Sequence, residues 1–543
     1  MSSERLPDAK PPFSVYALAD SAWNRVADAA LRTSWAPLAR LAEAAVVALM
    51  QKIRVGQLCV LTNSHVYTFP IANDDGDATR ADLKAEIRVI NDTFWVRLCA
   101  MSDLGFAEAY MYGDVECDDL VTLFEMFLEN REKLSNLNSS VSYLFTLPQK
   151  ITSYRFLNTI GNSRSNISAH YDISNDMFAG FLSEDMTYSC AIFPELDGDL
   201  TDEKGARNPW SGSQGLKRVL PTHFLPPSPP SSEPSDSQAD VMETTHMPLD
   251  INATIQLNEV DPLYVAQINK LQHIIDKLHI PSASASGSVR VLEIGSGWGA
   301  LAIRMAQQFP HVEIDTLTLS SAQKELAEQR ISAAGLTDRI TVHLMDYRNM
   351  PAQWEGSFAR FVSVEMIEAV GREFLEDYWR IADWALQKKG AVGVVQVITI
   401  PEARFERYIR EIDFIRKWVF PGGFLPTLTF LMSTLASGSK GSLIVESVSN
   451  IGPHYARTLR EWRRRFVERF ENVVVPALQK EHEIRSGGKG KKVLGRDEIE
   501  VFKRKWIYYY CYCEVGFTTR TLGDHVITFM REGNQDYGCD VYE

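Results

Sequence analysis

A glycine-rich turn near the middle of the chain carries the clearest chemical pattern. Residues 291–299 read VLEIGSGWG, in which an apolar run leads into Gly295 and Gly297, with Glu293 just before them. Glycines let a backbone take positive φ angles and approach a ligand closely. The spacing is G-x-G-x-G and not the G-x-G-x-x-G of dinucleotide-binding turns. The turn therefore predicts a ligand other than a dinucleotide.

The ligand that best fits this turn is S-adenosylmethionine, which has no phosphate to be cradled. The loop would pack against its methionine and ribose parts, while the Glu293 carboxylate faces the cationic amino acid end. A nicotinamide site and a plain strand–turn–helix junction are the alternatives. We favour the methyl donor because the acid, the spacing and the following strands agree.

Polar and aromatic residues at two later strand ends support this interpretation. Thr318, Leu319 and Gln323 follow the second predicted strand, where ribose contacts are expected. Asp346 and Tyr347 follow the third, where a carboxylate can accept the adenine amino group and an aromatic ring can cover the base. Each alone is more often a turn residue, but their joint placement favours a donor site.

The elements that position these residues alternate between strands and helices. Apolar runs predict strands at 289–294, 312–317, 340–345, 358–364 and 391–400, with helices at 300–308 and 322–334 between them. This order predicts an α/β fold with a doubly wound, mostly parallel sheet of the class I methyltransferase type. Ligands bind such sheets at the carboxyl ends of the strands.

Four regions divide the chain. Residues 1–150 predict an N-terminal α+β accessory domain, with helices at 35–53 and 118–127 and strands at 57–69 and 84–90. Residues 151–193 predict a lid segment of the catalytic domain. Residues 194–258 are rich in Pro, Ser and acid and predict a disordered or loop insertion. Residues 259–543, which begin with a helix predicted at 263–278, form the methyltransferase domain.

Several motifs together resemble the cyclopropane-fatty-acyl-phospholipid synthase and mycolic acid cyclopropane synthase family of S-adenosylmethionine-dependent methyltransferases. The matching segments, in the order of the family, are HYDISND at 170–176, MTYSC at 186–190, the glycine-rich turn, SVEMIEAVG at 363–371, FPGG at 420–423, PHYARTL at 453–459 and 508–517. The resemblance implies a methyl transfer to the cis double bond of an unsaturated phospholipid acyl chain. It further implies a carbocation and a cyclopropane ring closed by loss of a proton.

The resemblance also implies an ion and the residues around it. The family binds bicarbonate, which serves as the base, and by motif its shell here would include Cys190, Glu368 and Tyr455. Tyr188 and Ser189 would contact the donor. Taken alone, each shell residue is more often an ordinary packed or solvated side chain.

The chain departs from the bacterial pattern at three positions. Gln396 stands where bacterial members have a histidine, and an amide can bind an anion but cannot shuttle protons. Glu365 replaces a usual glycine, and Ala369 replaces a histidine. These changes resemble a eukaryotic-type branch of the family and bear on the fate of the cation.

The composition limits the classes of partner that the chain is expected to bind. The formal net charge of −14 argues against a nucleic-acid partner, and no segment has the length of a spanning helix. Seven scattered cysteines predict a reducing compartment and no metal site. Two basic clusters, at 457–465 and 489–505, are candidates for headgroup contact, with a solvated helix face as the alternative. We expect a cytoplasmic, peripherally membrane-associated enzyme, as a monomer or a homodimer.

Three functions remain open from the sequence. The first is cyclopropanation of a phospholipid acyl chain. The second is alkene C-methylation, which leaves a methyl or methylene branch on a lipid or a polyketide-like substrate. The third is a lipid- or donor-binding protein without catalysis, against which the residues Cys190, Glu368 and Tyr455 argue.

Overall fold

The computed structural model describes residues 36–70, 83–134, 174–201, 261–281, 287–485, 494–535 and 537–538. The segment 170–173, most of the insertion, and the lysines at 489–492 lie outside these ranges.

The N-terminal part is a mixed sheet covered by helices. Its elements are α1 (Ala36–Met50), β1 (Gln57–Leu61), β2 (Val66–Phe69), β3 (Lys84–Val89), α2 (Thr93–Tyr112, broken at Ser102), β4 (Val115–Cys117), α3 (Leu120–Glu129) and α4 (Arg131–Leu134). The strand order is β2-β1-β3-β4, with β1 and β3 parallel. This confirms the α+β character. The single predicted strand at 57–69 is in fact a hairpin, and α2 and β4 were not predicted.

The larger part follows the predicted alternation. Its elements are α5 (Asn175–Ala179), α6 (Gly198–Thr201), α7 (Pro262–Lys277), β5 (Val289–Ile294), α8 (Ala300–Gln308), β6 (Val312–Thr318), α9 (Ser321–Ala333), β7 (Ile340–Leu344), β8 (Arg360–Val364), α10 (Leu375–Ala385), β9 (Val392–Thr399), α11 (Glu402–Arg410), α12 (Leu428–Gly438), β10 (Leu443–Asn450), α13 (Gly452–Glu468), α14 (Val475–Arg485), α15 (Arg496–Thr518) and β11 (Gly523–Arg531). The five predicted strands are β5 to β9.

These strands form one seven-stranded sheet in the order β10-β11-β9-β8-β5-β6-β7. The five strands from β7 to β9 are parallel, and β11 and β10 join antiparallel. The chain order of the parallel strands reverses at β5, so β6 and β8 flank it. Their carboxyl ends meet at one edge, which is where such sheets bind ligands. The predicted fold class is confirmed.

Local sequence explains where the helices near this edge begin. Asp261 caps α7 by accepting the Leu263 N–H at 2.9 Å, and Pro262 takes the first helical position, where its missing N–H costs nothing. Ser320 caps α9 by accepting the Gln323 N–H at 3.2 Å. Because Ser320 directly follows β6, α9 starts at the carboxyl edge of the sheet.

The long helix α15 ties the two sheets together through an aromatic cluster. Tyr508 packs against Phe124 of α3 and Phe106 of α2, with ring centroids 5.1 and 6.3 Å apart. Tyr508 also packs on Phe414, which lies between α11 and α12 of the larger part, with ring centroids 4.6 Å apart. The accessory sheet therefore shares a core with the catalytic part. The predicted boundaries between the four regions remain a proposal.

The arginine cluster of α13 has a different environment from the one predicted. Arg460 pairs with Asp199 at 2.7 Å, Arg463 pairs with Glu514 at 2.9 Å, and both guanidinium groups are buried. Arg465 is buried against Asp261. Internal acids pair with these three arginines, so neither headgroup contact nor a solvated helix face describes them, whereas Arg464 of the same cluster is 40% exposed. No helix within the described ranges is long and apolar enough to cross a membrane.

Gly393 in the middle of β9 supports a stability prediction. A Cβ there would overlap the ring of Phe529 on β11. We expect Gly393→Ala to lower the free energy of unfolding by about 1–3 kcal/mol, as overpacking does in other cores. Denaturant unfolding measures this. In a Phe529→Leu background the cost of Gly393→Ala should shrink, and purely additive effects would contradict the clash.

Candidate active site

A cavity opens at the carboxyl edge of β5, β6, β7 and β8. All ten residues predicted to bind the donor line it. They are Tyr188, Ser189, Glu293, Gly295, Gly297, Thr318, Leu319, Gln323, Asp346 and Tyr347. Eight of them meet because they lie at or just after the carboxyl ends of β5, β6 and β7, whereas Tyr188 and Ser189 come from the segment between α5 and α6.

The glycine-rich turn forms one wall of the cavity. Gly295 and Gly297 have φ angles of 102° and 49°, which residues other than glycine rarely adopt. The amides of Gly295 and Ser296 both donate to the Leu317 carbonyl at 2.9 Å, which ties the turn to β6. A Cβ on Gly297 would meet no protein atom within 4 Å. The space beside it therefore belongs to the cavity.

Glu293 presents an unsatisfied acid to the same space. Its side chain is buried, and its Oε2 has no hydrogen-bond partner in the described structure. Burial raises the pKa of Glu293 to about 7, although a hydrogen bond from Thr316 and the charge of Lys270 lower it in part. A cationic ligand group at Oε2 would satisfy this oxygen, as predicted for the amino end of the donor.

The ribose and adenine residues are already ordered by protein contacts. The Thr318 hydroxyl donates to Gln323 Oε1 at 2.7 Å, which fixes the amide beside the cavity. Asp346 accepts two bonds from the Arg348 guanidinium, at 2.9 and 2.5 Å, so Arg348 shares its carboxylate. Tyr347 stands edge-on to Tyr378 at 5.6 Å. The predicted adenine end is thus preorganised.

Glu365 is the acid on which the predicted catalytic residues converge. Its Oε1 accepts the Cys190 N–H at 2.8 Å and the Gln396 Nε2–H at 2.7 Å, and its Oε2 accepts the Tyr455 hydroxyl at 2.7 Å. Glu365 also lines the donor cavity, whereas the lining residues described do not include Cys190, Glu368, Gln396 or Tyr455. Those side chains lie behind Glu365.

The backbone of Glu365 is unusual. Its φ is 47°, in the region that glycine occupies without strain, and its N–H donates to the Gln396 carbonyl at 2.8 Å. Burial raises the pKa of Glu365, and hydrogen bonds from Cys190, Tyr455 and Gln396 lower it. Three donors aimed at one carboxylate favour its charged form.

Gln396 and Asp524 support this acid from the sheet. The Gln396 Nε2 donates to Glu365 and also to Asp524 Oδ2 at 2.8 Å, so one amide bridges two carboxyls. Asp524 is fully buried, and its other oxygen has no hydrogen-bond partner among the described residues. Burial, with Glu365 and Glu368 nearby, raises the pKa of Asp524 well above its usual range.

Glu368 is held apart from this group of donors. Its Oε1 accepts the Ile398 N–H at 2.6 Å, and its backbone carbonyl accepts the Phe424 N–H at 2.9 Å. The first bond attaches the turn after β8 to the end of β9, and the second attaches it to the loop before α12. Tyr455, which sequence reasoning paired with Glu368 through an anion, donates directly to Glu365 instead.

Aromatic rings surround the acid. Tyr455 stacks on Phe517 at 4.5 Å, and Tyr188 packs against Trp462 at 5.0 Å. The Tyr188 hydroxyl lies 3.2 Å from that of Tyr509. Burial raises the pKa of Tyr455 well above its usual range, so it stays a neutral donor. The site therefore combines a buried, hydrogen-bonded acid with aromatic neighbours.

Sequence reasoning named Glu365 only as a departure from a family pattern and did not name Asp524 or Lys270. Lys270 carried a signal, because it interrupts the apolar face of α7 that includes Leu263, Leu271 and Ile274. A charged residue on an otherwise buried stripe is rarely left without a partner. Asp524 has no comparable local pattern.

The sheet order, the glycine-rich turn and the donor cavity define a class I methyltransferase that depends on S-adenosylmethionine. The family model described as mycolic acid cyclopropane synthetase matches residues 159–208 and 256–486. This chain belongs to that family.

Named relatives agree with this placement. The tuberculostearic acid methyltransferase UfaA1 of Mycobacterium tuberculosis is 30% identical over 462 residues, covering 84% of this chain and 87% of that protein. The cyclopropane-fatty-acyl-phospholipid synthase of Escherichia coli is 26% identical over 458 residues, covering 84% and 90%. Among solved structures, the cyclopropane synthase MmaA2 from Mycobacterium tuberculosis aligns with 67% of this chain and 97% of its own, at 21% identity and a TM-score of 0.45.

The buried position of Glu368 predicts a pH-dependent stability. Burial, with Glu365 nearby, raises the pKa of Glu368 from 4.5 to about 8. The folded chain therefore holds a proton that the unfolded chain releases at lower pH. The resulting stabilisation is complete below the unfolded pKa and is lost as pH rises through about 8.

Glu368→Gln removes this titration, because the amide stays neutral and its oxygen can still accept the Ile398 N–H. From pH 5 to pH 9, the melting temperature of the variant should rise relative to the parent by about 2–4 °C. Thermal scans at both values measure this. The exposed Glu373→Gln is the matched control, and an equal difference at both pH values would contradict the assignment.

Proposed function

We propose that this chain methylates the cis double bond of an unsaturated phospholipid acyl chain and that Glu365 is the base that removes the resulting proton. The observation that carries the proposal is the carboxylate of Glu365, held by Cys190, Gln396 and Tyr455 at the edge of the donor cavity. A lipid alkene has no acid–base group of its own, so the protein must supply one.

The residues present fit the donor but do not fit bicarbonate. The unpartnered Glu293 oxygen and the open space beside Gly297 match the amino end and the body of S-adenosylmethionine. The donors that the family resemblance assigns to bicarbonate, on Cys190 and Tyr455, already point at Glu365. We therefore propose that the protein's own carboxylate takes the place of the ion.

S-adenosylmethionine, when bound, supplies an electrophilic methyl group on sulfur. The alkene π electrons form the new C–C bond as the S–CH₃ bond breaks, which leaves a carbocation on the acyl chain and a neutral thioether. Glu365 then takes one proton from the new methyl group. The electron pair of that C–H bond closes a three-membered ring, so no oxidant or reductant is needed.

The walls of the site suit such a cation. Tyr188 lines the donor cavity, where an aromatic ring can stabilise positive charge, and it packs on Trp462, which packs in turn on Tyr455 behind the lining. Water at this point would trap the cation as an alcohol. Gln396 donates to Glu365 without being able to compete for the proton, because an amide is neither an acid nor a base in this range.

A methylene branch is the second candidate product. After a hydride shift along the acyl chain, loss of a proton from the same methyl group gives an exocyclic alkene. The relative at 30% identity is named as a methyltransferase, whereas the one at 26% is named for cyclopropane formation. Peripheral contact with a membrane, a cytoplasmic location and dimerisation remain part of the proposal.

Substitution of Glu365 tests the base. Glu365→Gln keeps the size but cannot accept the proton, so turnover on vesicles of unsaturated phospholipid should fall about 100- to 10,000-fold. Affinity for S-adenosylhomocysteine should stay within about threefold, because the acid only borders the donor space. The exposed Glu373→Gln provides the control.

Glu365→Gly asks whether bicarbonate can replace the side chain. Glycine suits a φ of 47° and leaves the donors of Cys190, Gln396 and Tyr455 free. We expect added bicarbonate to restore part of the turnover of this variant and to leave the parent unchanged. A parent that requires bicarbonate, or a fully active Glu365→Gln, would overturn the proposed base.

Mass spectrometry of the product lipids separates the two candidate products. A gain of CH₂ with loss of the double bond, resistant to hydrogenation under mild conditions, is expected for a ring. A gain of CH₂ with retained unsaturation identifies the methylene branch. Unchanged lipids, from a chain that binds the donor, would end the assignment of an alkene substrate.

A further inference from the structure

We infer that Lys270 binds the carboxylate of the donor's methionine part, so that Lys270 and Glu293 together hold its zwitterionic end. The inference rests on the donor site proposed above and assigns to α7 a direct role in choosing the ligand. Three observations carry it: the burial of Lys270, the absence of an ion pair for it among the described residues, and the opposite charge of Glu293 beside the same space.

Lys270 is an ammonium group placed where proteins rarely put one. Its side chain is fully buried on α7 and lines the donor cavity. Its Nζ donates to the Ser189 hydroxyl at 2.5 Å, and the described residues provide it with no salt bridge. Burying a cation without a counter-ion costs several kcal/mol, so an anion is expected at this position when the protein works.

Carboxylates of the protein lie in the neighbourhood but do not fill that role. Burial lowers the pKa of Lys270, while the charges of Glu365, Asp185 and Asp524, none of which forms a salt bridge with it in the described structure, raise it. Glu365 already accepts three hydrogen bonds, and Asp185 accepts the Ser183 hydroxyl. The Lys270 ammonium therefore retains donor capacity toward the cavity.

The cavity contains one other cation within the described residues, and that one is paired. Arg348 donates to Asp346 at the adenine end. Lys270 lies at the other end, with Ser189 and near Glu293, whose pKa its charge lowers. The methionine part of the donor carries one ammonium and one carboxylate. Glu293 is suited to the first and Lys270 to the second, with Ser189 as a further donor.

Helix α7 is built to hold Lys270 and Ser189 in this relation. One turn earlier, Gln267 Nε2 donates to the Ser189 carbonyl at 2.8 Å, and the Ala266 carbonyl accepts the Ile192 N–H at 3.0 Å. These bonds fix the segment before Cys190 along the helix. The same contacts therefore position the ligand pair of Lys270 and Ser189 and the Cys190 N–H that donates to Glu365.

Calorimetric titration with ligands that differ at this end tests the inference. S-adenosylhomocysteine has the ammonium and the carboxylate, decarboxylated S-adenosylhomocysteine lacks only the carboxylate, and 5′-methylthioadenosine lacks both. Lys270→Met keeps the length of the side chain and removes its charge. We expect it to weaken S-adenosylhomocysteine about 10- to 100-fold and to leave the other two ligands within about twofold. Lys277→Met, at the end of the same helix, is the control.

The outcomes separate this inference from the proposed function. If the parent does not bind S-adenosylhomocysteine, the donor site itself is wrong. If the parent binds and Lys270→Met binds all three ligands equally well, or loses all three equally, then Lys270 does not read the carboxylate. Thermal melting of Lys270→Met accompanies the titration. If the variant fails to fold, Lys270→Gln is titrated in its place, with the same ligand order expected.

Discussion

The buried carboxylate of Glu365 is the group on which the site depends: burial raises its pKa, and three hydrogen-bond donors and the charge of Lys270 oppose that rise. Each donor comes from a different part of the chain: Cys190 from the segment before α6, Gln396 from β9 and Tyr455 from α13. A charge in a medium of low dielectric is stabilised mainly by such fixed dipoles. The positions of these elements therefore share one electrostatic consequence: each of them supplies a dipole that stabilises the charged form of the proposed base.

The sheet topology explains how the acid and its supports come together. The parallel strands β8 and β9 both end at the cavity edge, which brings Glu365 beside Gln396. The antiparallel strand β11 starts at that edge, where Asp524 is paired with Ile398. An antiparallel neighbour presents its first residues where parallel strands present their last. Because β11 is antiparallel, its first residues, including the buried Asp524, lie at the cavity edge. In a parallel strand these first residues would lie at the opposite edge of the sheet.

The sequence predicted the frame of the site better than its chemistry. Eight of the donor residues could be placed because they stand at the ends of apolar runs, and strand ends in a doubly wound sheet share one edge. Tyr188 and Ser189 came from the family resemblance alone. The choice between Glu365 and Glu368 could not be made that way. The two acids stand three residues apart in one turn, and the positive φ of Glu365 decides which of them faces the donors. The burial of the α13 arginines could not be predicted for a related reason, because their partners Asp199 and Glu514 are distant in sequence.

Charge conservation links the two ends of the proposed reaction. The sulfonium of the donor brings one positive charge into a site that already contains the anion of Glu365. When the methyl group moves, that charge passes to the acyl carbocation, and when Glu365 takes the proton, the pair is neutralised within the cavity. The charge of the buried region is therefore constant from donor binding to proton transfer, and Glu365 must release its proton before the next cycle. The zwitterionic end of the donor adds no net charge, because Glu293 and Lys270 oppose its two groups. A site with so many buried ionisable groups can work because each step moves charge between partners that are already in place.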